Sequence, residues 1–469
     1  MNRGEKLRKH GRTEARPARK GRRLGLVLVL ALLLVGGGVG TLAYLRGDGG
    51  PALPDGAGPG QAALPLNDIA APEQPYSAAE VGTGAYWAIP LPDEMRAMWI
   101  SFQELEGLDL ASEPAAAEAF GQVFEECRGL GLNTVIVMVR PYSDALYRSA
   151  LFPFSHIING TQGHDPGFDP LEVMVREAHA RDLRIEAWVI PYKISQSWSG
   201  PHSLSDDNPA SKHPEWVVDI GGDLWYDPGI PEVRSLVRDG VLEIVQNYEV
   251  DGIHFDDYFS PDSFEGPGAF DAGSYAEHGG GAAWADWRRA NNDDLVRSVY
   301  VAIKSANPSV SFGISPQGDS DVNYHQEYSD VGKWMAKPGY IDYVMPQLYE
   351  GFAHRTPDGS DASAFENAAA TWAASPRDAS VRLYAGLGAY RVGLLQADGS
   401  RFGFGDYGSN DQSEWESGRN LADMVSALRS QEGYAGFALF RHAYLFQPGD
   451  PLSQGERTAL EELLGQAPG

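Results

Sequence analysis

The chain has 469 residues, of which 43% are hydrophobic and 11% aromatic, and carries a formal net charge of -27. That composition supplies apolar area for a large core and excludes a mainly disordered chain, while the acidic balance repels phosphate backbones and argues against nucleic acid as a partner. The lone Cys127 excludes an intrachain disulfide, and its place in a helical-looking stretch from Phe120 to Leu130 marks it as a buried small hydrophobe.

Residues 1–23 hold ten Lys and Arg against Glu5 and Glu14, so they form a basic tail on an otherwise acidic chain. Leu24 to Leu45 follows as 22 residues without a charge, enough to cross a bilayer as a single helix. The positive-inside rule then predicts a cytoplasmic tail at 1–23, a transmembrane helix at 24–45 and an extracytoplasmic remainder. A cleaved signal peptide, releasing a secreted protein, is the rival reading. The apolar run is longer than a signal core, however, and no clear small-x-small site follows it. Residues 46–92, rich in Gly, Pro, Ala and Asp and without periodicity, read as a disordered linker, which leaves a folded domain over 93–466.

Within that domain short apolar runs alternate with helix-length amphipathic segments, the pattern of β/α units around a parallel sheet. Eight runs are expected as strands: Met95–Phe102, Asn133–Arg140, Arg184–Pro191, Gly252–Asp256, Ser311–Ser315, Tyr343–Gln347, Arg382–Leu387 and Gly436–Phe440. Helical stretches stand between many of them, at Leu171–Ala180, Val233–Tyr248, Trp284–Ser305 and Gly418–Ser430. Eight such strands predict an α/β fold of the (β/α)8 TIM-barrel type. The open doubly wound alternative lacks its usual Gly-rich phosphate turn after Phe102.

In a barrel the chemistry belongs at the C-terminal ends of the strands, and polar and aromatic residues gather there. The second run leads into Arg140, Asp144 and Tyr147, and the third into Trp188, Tyr192 and Lys193. The fourth reads DGIHFDDYF, where alternation turns His254 and Asp256 toward the barrel axis, with Asp257 and Tyr258 at the rim. Later ends bring Gln317, then Gln347, Tyr349 and Glu350, then Tyr390 and Arg391, then Arg441 and His442. Aromatic faces stack on sugar rings and polar groups bind hydroxyls, and glycoside cleavage needs two carboxyl groups. A strand-end Asp that caps a helix or pairs with Arg140 or Arg441 is the purely structural alternative, and a metal site at His254, Asp256 and Asp257 another. No second histidine stands at metal-binding spacing, so no metal and no cofactor are expected. Glu186, inward but low in the barrel, reads as one half of a buried ion pair, and His179, on a helix, as a supporting or packing residue rather than a catalytic one.

The blocks RAMWISF, LNTVIVMVRPYSDALYRSALFPFS, TQGHDPGFDPLEVMVREAHARDLRIEAWVIPYK, VDGIHFDDYF, FGISPQG, GYIDYVMPQLYEGF and YAGFALFRH resemble, in order, the glycosyl-hydrolase-like 10 domain family from about Met95 to His442. The resemblance implies a bacterial envelope protein and a glycosidase of peptidoglycan glycan strands, including strands stripped of stem peptides. It implies Asp256 and Asp257 as the catalytic pair, and Arg140, Asp144, Tyr147, His164, Trp188, Tyr192, Gln317, Gln347 and Tyr349 as groove residues, to which His254, Tyr258 and Tyr390 are added by position. The inward Asp256 is also similar to the fourth-strand nucleophile of α-amylase-like barrels, a weaker analogy. The proton donor stays open among Asp257, Glu350 and Asp144. Many relatives carry an aromatic residue where this chain has Glu350, so that position is either a local acid or a change at a stacking site. A non-catalytic glycan-binding barrel that recruits wall enzymes is the second functional class. Retention of the Asp pair favours the enzyme.

Overall fold

The computed structural model describes residues 86–465, apart from 198–199, 202, 397–398 and 403–410. The membrane span expected at 24–45 and most of the linker lie outside the described residues. Among the described residues no helix is long and apolar enough to cross a membrane.

Eight parallel strand positions close into a barrel: β1 (Met95–Ile100), β2 (Thr134–Arg140), β3 (Arg184–Val189), β4 (Gly252–Phe255), β5 (Ser311–Ile314), β6 (Tyr343–Val344, resumed at Gln347–Leu348), β7 (Arg382–Leu387) and β8 (Tyr434–Leu439). β8 pairs with β1 and β6 with β7, which completes the ring. All eight coincide with the expected runs. β2, TVIVMVR, is buried at every position because the barrel interior covers one face and the helices the other, so its sequence is nearly continuous apolar rather than alternating.

The outer layer includes α1 (Glu113–Gly129), α2 (Pro170–His179), α3 (Pro231–Asn247), α4 (Trp284–Ala306), α5 (Phe365–Ala374), α6 (Asn420–Ser430) and α7 (Pro451–Leu464). Their starts follow local chemistry. Asp169 accepts from the amide of Leu171 at 3.1 Å ahead of Pro170, and Asp450 does the same for Leu452 and Ser453 ahead of Pro451. Cys127 is fully buried on α1, where burial pushes its thiol up.

The barrel interior is filled from the bottom upward. On β3 and β4, Glu186 lies beside Gly252 and Trp188 beside His254, so these residues share the inward face. Gly252 and Gly313 are glycines because of close approach: a Cβ at Gly252 would sit 2.7 Å from the Glu186 carboxyl carbon, and one at Gly313 1.9 Å from the Tyr343 ring. At the foot, Arg184 pairs with Glu186 at 2.7 Å, the expected buried ion pair. Asp251 there receives Tyr86 Oη at 2.6 Å, the Ile89 amide at 2.7 Å and the Ile185 amide at 2.8 Å, with His179 Nε2 at 3.0 Å. The chain is therefore packed onto the barrel floor from Tyr86, ahead of the Pro92 boundary read from composition.

Candidate active site

Above that floor Trp99, His254 and Tyr343 form a connected layer. The Trp99 indole N–H donates to His254 Nε2 at 3.1 Å, and His254 Nδ1 lies 2.7 Å from Tyr343 Oη. An indole can only donate, so Nε2 is the acceptor and Nδ1 carries the proton toward Tyr343, whose hydroxyl in turn reaches Glu186. Burial drives the His254 imidazole down to about 3, which makes it a neutral spacer beneath the groove.

Two residues further along, the β4 end delivers Asp256 and Asp257. Asp256 accepts the Trp188 indole N–H at 3.1 Å on one oxygen and the Tyr258 amide at 3.2 Å on the other. Asp257 receives Gln347 Nε2 at 2.8 Å on one oxygen and Gln317 Nε2 on the other. Both aspartates are buried, and no guanidinium pairs with either among the described contacts. Burial first, and then the negative Asp257, push the Asp256 carboxyl well above the usual range. Burial also raises Asp257, against the opposing pull of Gln347 and Gln317. Both aspartates are thus driven toward the protonated form, and each accepts an N–H on both of its oxygens.

The walls are aromatic. Tyr349 stacks on Phe440 with ring centroids 5.6 Å apart and 13° between planes, and Tyr390 meets both edge-on. Trp188 packs edge-on against Phe440 at 6.4 Å. On the other flank, a small antiparallel sheet in the β3–α3 connection (Lys193–Ser195, Val217–Ile220, Asp223–Tyr226) carries Trp225 next to Tyr258. The Lys193 ammonium lies 4.9 Å from the Trp225 ring centre and 5.0 Å from that of Tyr258. Burial lowers Lys193, while Asp223, Asp256 and Asp257 favour its charged form.

The structure therefore gathers Trp188, Tyr258, Gln317, Gln347, Tyr349 and Tyr390 about Asp256 and Asp257, with His254 below them. Other expected groove residues stand elsewhere. The β2–β3 register slips between Met138 and Arg140, so that Arg140 pairs with Val189 and shares its outward face. Its guanidinium lies 4.5 Å from the Phe152 ring centre and against Gly240 of α3, in the helix layer. Tyr147 packs beside it against Tyr248. Tyr192 is buried toward Arg234 of α3 and Asp294 of α4. His164 is exposed on the β2–α2 connection. Asp144 is fully buried, 3.0 Å from His156 Nδ1 and accepting Gln162 Nε2 at 3.0 Å, and so braces that connection.

Glu350 belongs to a different cluster. It pairs with Arg391 and lies 2.9 Å from His354 Nδ1, while Arg391 also meets Asp411 at 3.3 Å. Burial alone would raise Glu350, but His354 and Arg391 outweigh it and hold the carboxyl below its ordinary value, a poor setting for a proton donor. One ligand atom each from Glu350, His354 and Asp411 come within 4.8 Å of one another, yet the Arg391 guanidinium already supplies positive charge there.

Sequence reading assigned no role to three residues of this site: Trp225, Phe440 and Glu327. Glu327 is a third buried carboxyl, raised well above its usual value by burial and then by Asp257. Its Oε2 accepts the Ser260 amide at 3.4 Å and so steadies the loop that follows the aspartates. It lies in a long connection after β5, and nothing in its local sequence marks it. Lys193 was visible as a strand-end residue, but its partner Trp225 arrives from a separate excursion.

Residues 94–400 match the family described as Glycosyl hydrolase-like 10. The chain is 36% identical over 322 residues to "Glycosyl hydrolase YngK" of Bacillus subtilis strain 168, a match spanning 64% of this chain and 61% of that protein. It is 33% identical over 346 residues to "Glycosyl hydrolase DigH" of Escherichia coli K12, spanning 68% of this chain and 74% of the relative. Among solved structures, the PgaB (BpsB) glycoside hydrolase domain from Bordetella bronchiseptica aligns at 11% identity and a TM-score of 0.48, over 78% of this chain and 99% of that one. With that match spanning seven of the eight barrel strands, this chain belongs to the glycosyl hydrolase-like 10 family.

Proposed function

We propose that this chain is an envelope glycosidase that cleaves glycosidic bonds in peptidoglycan glycan strands, peptide-free strands among them, from a position outside the membrane. The observation that carries the reading is the buried Asp256–Asp257 pair on the groove floor, uncompensated by arginine and flanked by stacking aromatic rings. Asp256 acts as the acid: its proton passes to the leaving oxygen as the C–O bond breaks. Asp257 stays ionised and faces the positive charge that grows at the anomeric carbon. Gln317 and Gln347 hold Asp257 in place, and Trp188 holds Asp256. Tyr349 and Tyr390, both part-exposed, present rings on which sugars stack, in keeping with an uncharged glycan. The basic tail and the apolar run at 24–45 support anchoring of the barrel to the outer side of a cell membrane.

The test is incubation of the purified full-length chain with intact and with peptide-free glycan strands, followed by mass spectrometry of the products. New reducing ends are expected, and they should vanish with Asp256→Asn while strand binding persists. Binding without cleavage by the unaltered chain would support the glycan-binding scaffold instead.

A further inference from the structure

The aspartates of the groove are neighbours in sequence. A glycosidase that uses its own nucleophile needs one carboxylate touching the anomeric carbon and a second donating to the leaving oxygen, from separate positions about the sugar. Here several of the other acids around the strand ends are held by cations or amides. Glu104 pairs with Arg441 and accepts from Ser101. Asp144 is held by His156 and Gln162, and Glu350 by Arg391 and His354. Glu327 accepts the Ser260 amide at 3.4 Å and stands as a third buried acid beside the pair. Asp256 and Asp257 lie together, their Cα atoms about 3.8 Å apart as in any consecutive pair. A residue adjacent to the proton donor need not reach the anomeric carbon to be useful. In an N-acetylated amino sugar the 2-acetamido N–H lies two bonds from that carbon, within reach of such a neighbour.

Resting on the glycan-strand reading above, we propose that Asp256 and Asp257 serve a substrate-assisted reaction, in which the 2-acetamido group of an N-acetylated amino sugar is the nucleophile. The acetamido carbonyl oxygen attacks the anomeric carbon as the bond to the leaving oxygen breaks. The Asp256 proton goes to that oxygen, and an oxazolinium ion forms with its N–H held by the Asp257 carboxylate. A water then gives a proton to Asp256 and its oxygen to the anomeric carbon, and the ring opens to restore the acetamide. The product is a hydrolysed bond with retained configuration. The two amide donors on Asp257, from Gln317 and Gln347, fit this role, since they fix a carboxylate that must stay charged and oriented while it takes no bond to carbon.

The full-length chain is assayed on three peptide-free strands: native N-acetylated strands, the same strands N-deacetylated, and deacetylated strands re-acylated with trifluoroacetyl groups. Native strands should be cleaved with retention, read by NMR of fresh reducing ends. Deacetylated strands should be cleaved at least about 100-fold more slowly. Trifluoroacetylated strands should lose kcat with little change in KM, because the group still fits but its carbonyl oxygen is a weaker nucleophile. The 1,2-thiazoline analogue of N-acetylglucosamine should inhibit competitively, and Asp257→Asn should weaken that inhibition. Equal cleavage of all three strands, inversion, or a glycosyl-aspartate trapped by a 2-fluoro sugar would overturn the inference and leave the glycosidase assignment standing. Cleavage of none would overturn both.

Discussion

The two ends of this barrel bury the same kinds of side chain and treat their charge in opposite ways. At the floor Asp251 has four hydrogen-bonding partners and the charge of Arg184 nearby. Burial would raise its pKa, but His179, Arg184, Tyr86 and the Ile185 amide outweigh burial and leave it below the ordinary range. Glu186 beside it is paired with Arg184. At the opposite end Asp256 and Asp257 receive neutral donors and one buried lysine, so burial wins and both rise, Asp256 with the repulsion of Asp257 added. A compensated buried carboxylate is a structural element. An uncompensated pair holds its proton to higher pH than an ordinary carboxyl, which is what acid catalysis requires. Function and stability are thus separated along the barrel axis, and substitutions should separate them too.

The largest expected effect is at the top. Asp256→Asn should lower kcat by roughly a thousandfold or more, consistent with loss of a general acid. Its melting temperature at neutral pH should be unchanged or higher, because a carboxyl whose folded pKa is raised stabilises the native state at low pH and loses that contribution as pH rises through the raised value. Calorimetry beside kinetics checks both, and a large loss of stability would show that Asp256 is structural. At the bottom the pattern reverses: Arg184→Met strands Glu186 without its partner and should cost about 3–5 kcal/mol of stability, with kcat of the folded fraction near normal. The Asp251 contribution, from a lowered pKa, is present above the ordinary carboxylate range and fades as pH falls through the lowered value. Acid denaturation of Asp251→Asn should therefore be less steep than that of the parent.

Smaller effects sharpen the distinction. Gln347→Ala removes one donor from Asp257 and should reduce kcat by roughly 10- to 100-fold, since one hydrogen bond to a charged group is worth about 1.5–3 kcal/mol. The acidic limb of the pH–rate profile should move up, because an ionised Asp257 loses support. Activity should in any case fall at high pH as Asp256 deprotonates through its raised value. Glu350→Gln should have the smallest effect on chemistry, less than about tenfold in kcat, with the loss appearing instead as a lower melting temperature once Arg391 keeps only Asp411 of its two carboxylates. A thousandfold loss there would restore Glu350 as the proton donor.

Some of this was legible before any coordinates. Eight apolar runs separated by helix-length segments specify eight strands and their order, because each run must be buried on two faces and each segment on one. Strand alternation alone turned His254 and Asp256 inward, and Glu186 read as a paired acid from its depth on β3. Composition likewise gives the charge division and the apolar run of residues 24–45. What tertiary structure decided was which polar residues share a groove. Arg140 follows the alternation of β2 until a one-residue slip in register against β3 carries it into the helix layer, and such a slip leaves no mark in the local sequence. Glu350 stands beside the groove-lining Tyr349 yet is claimed by Arg391, which is near it only in space. Trp225 and Glu327 reach the aspartates from long connections whose paths depend on what they pack against. Periodicity records which face of an element is buried. It carries no information about partners distant in the chain, and the difference between a compensated acid and a reactive one lies in those partners.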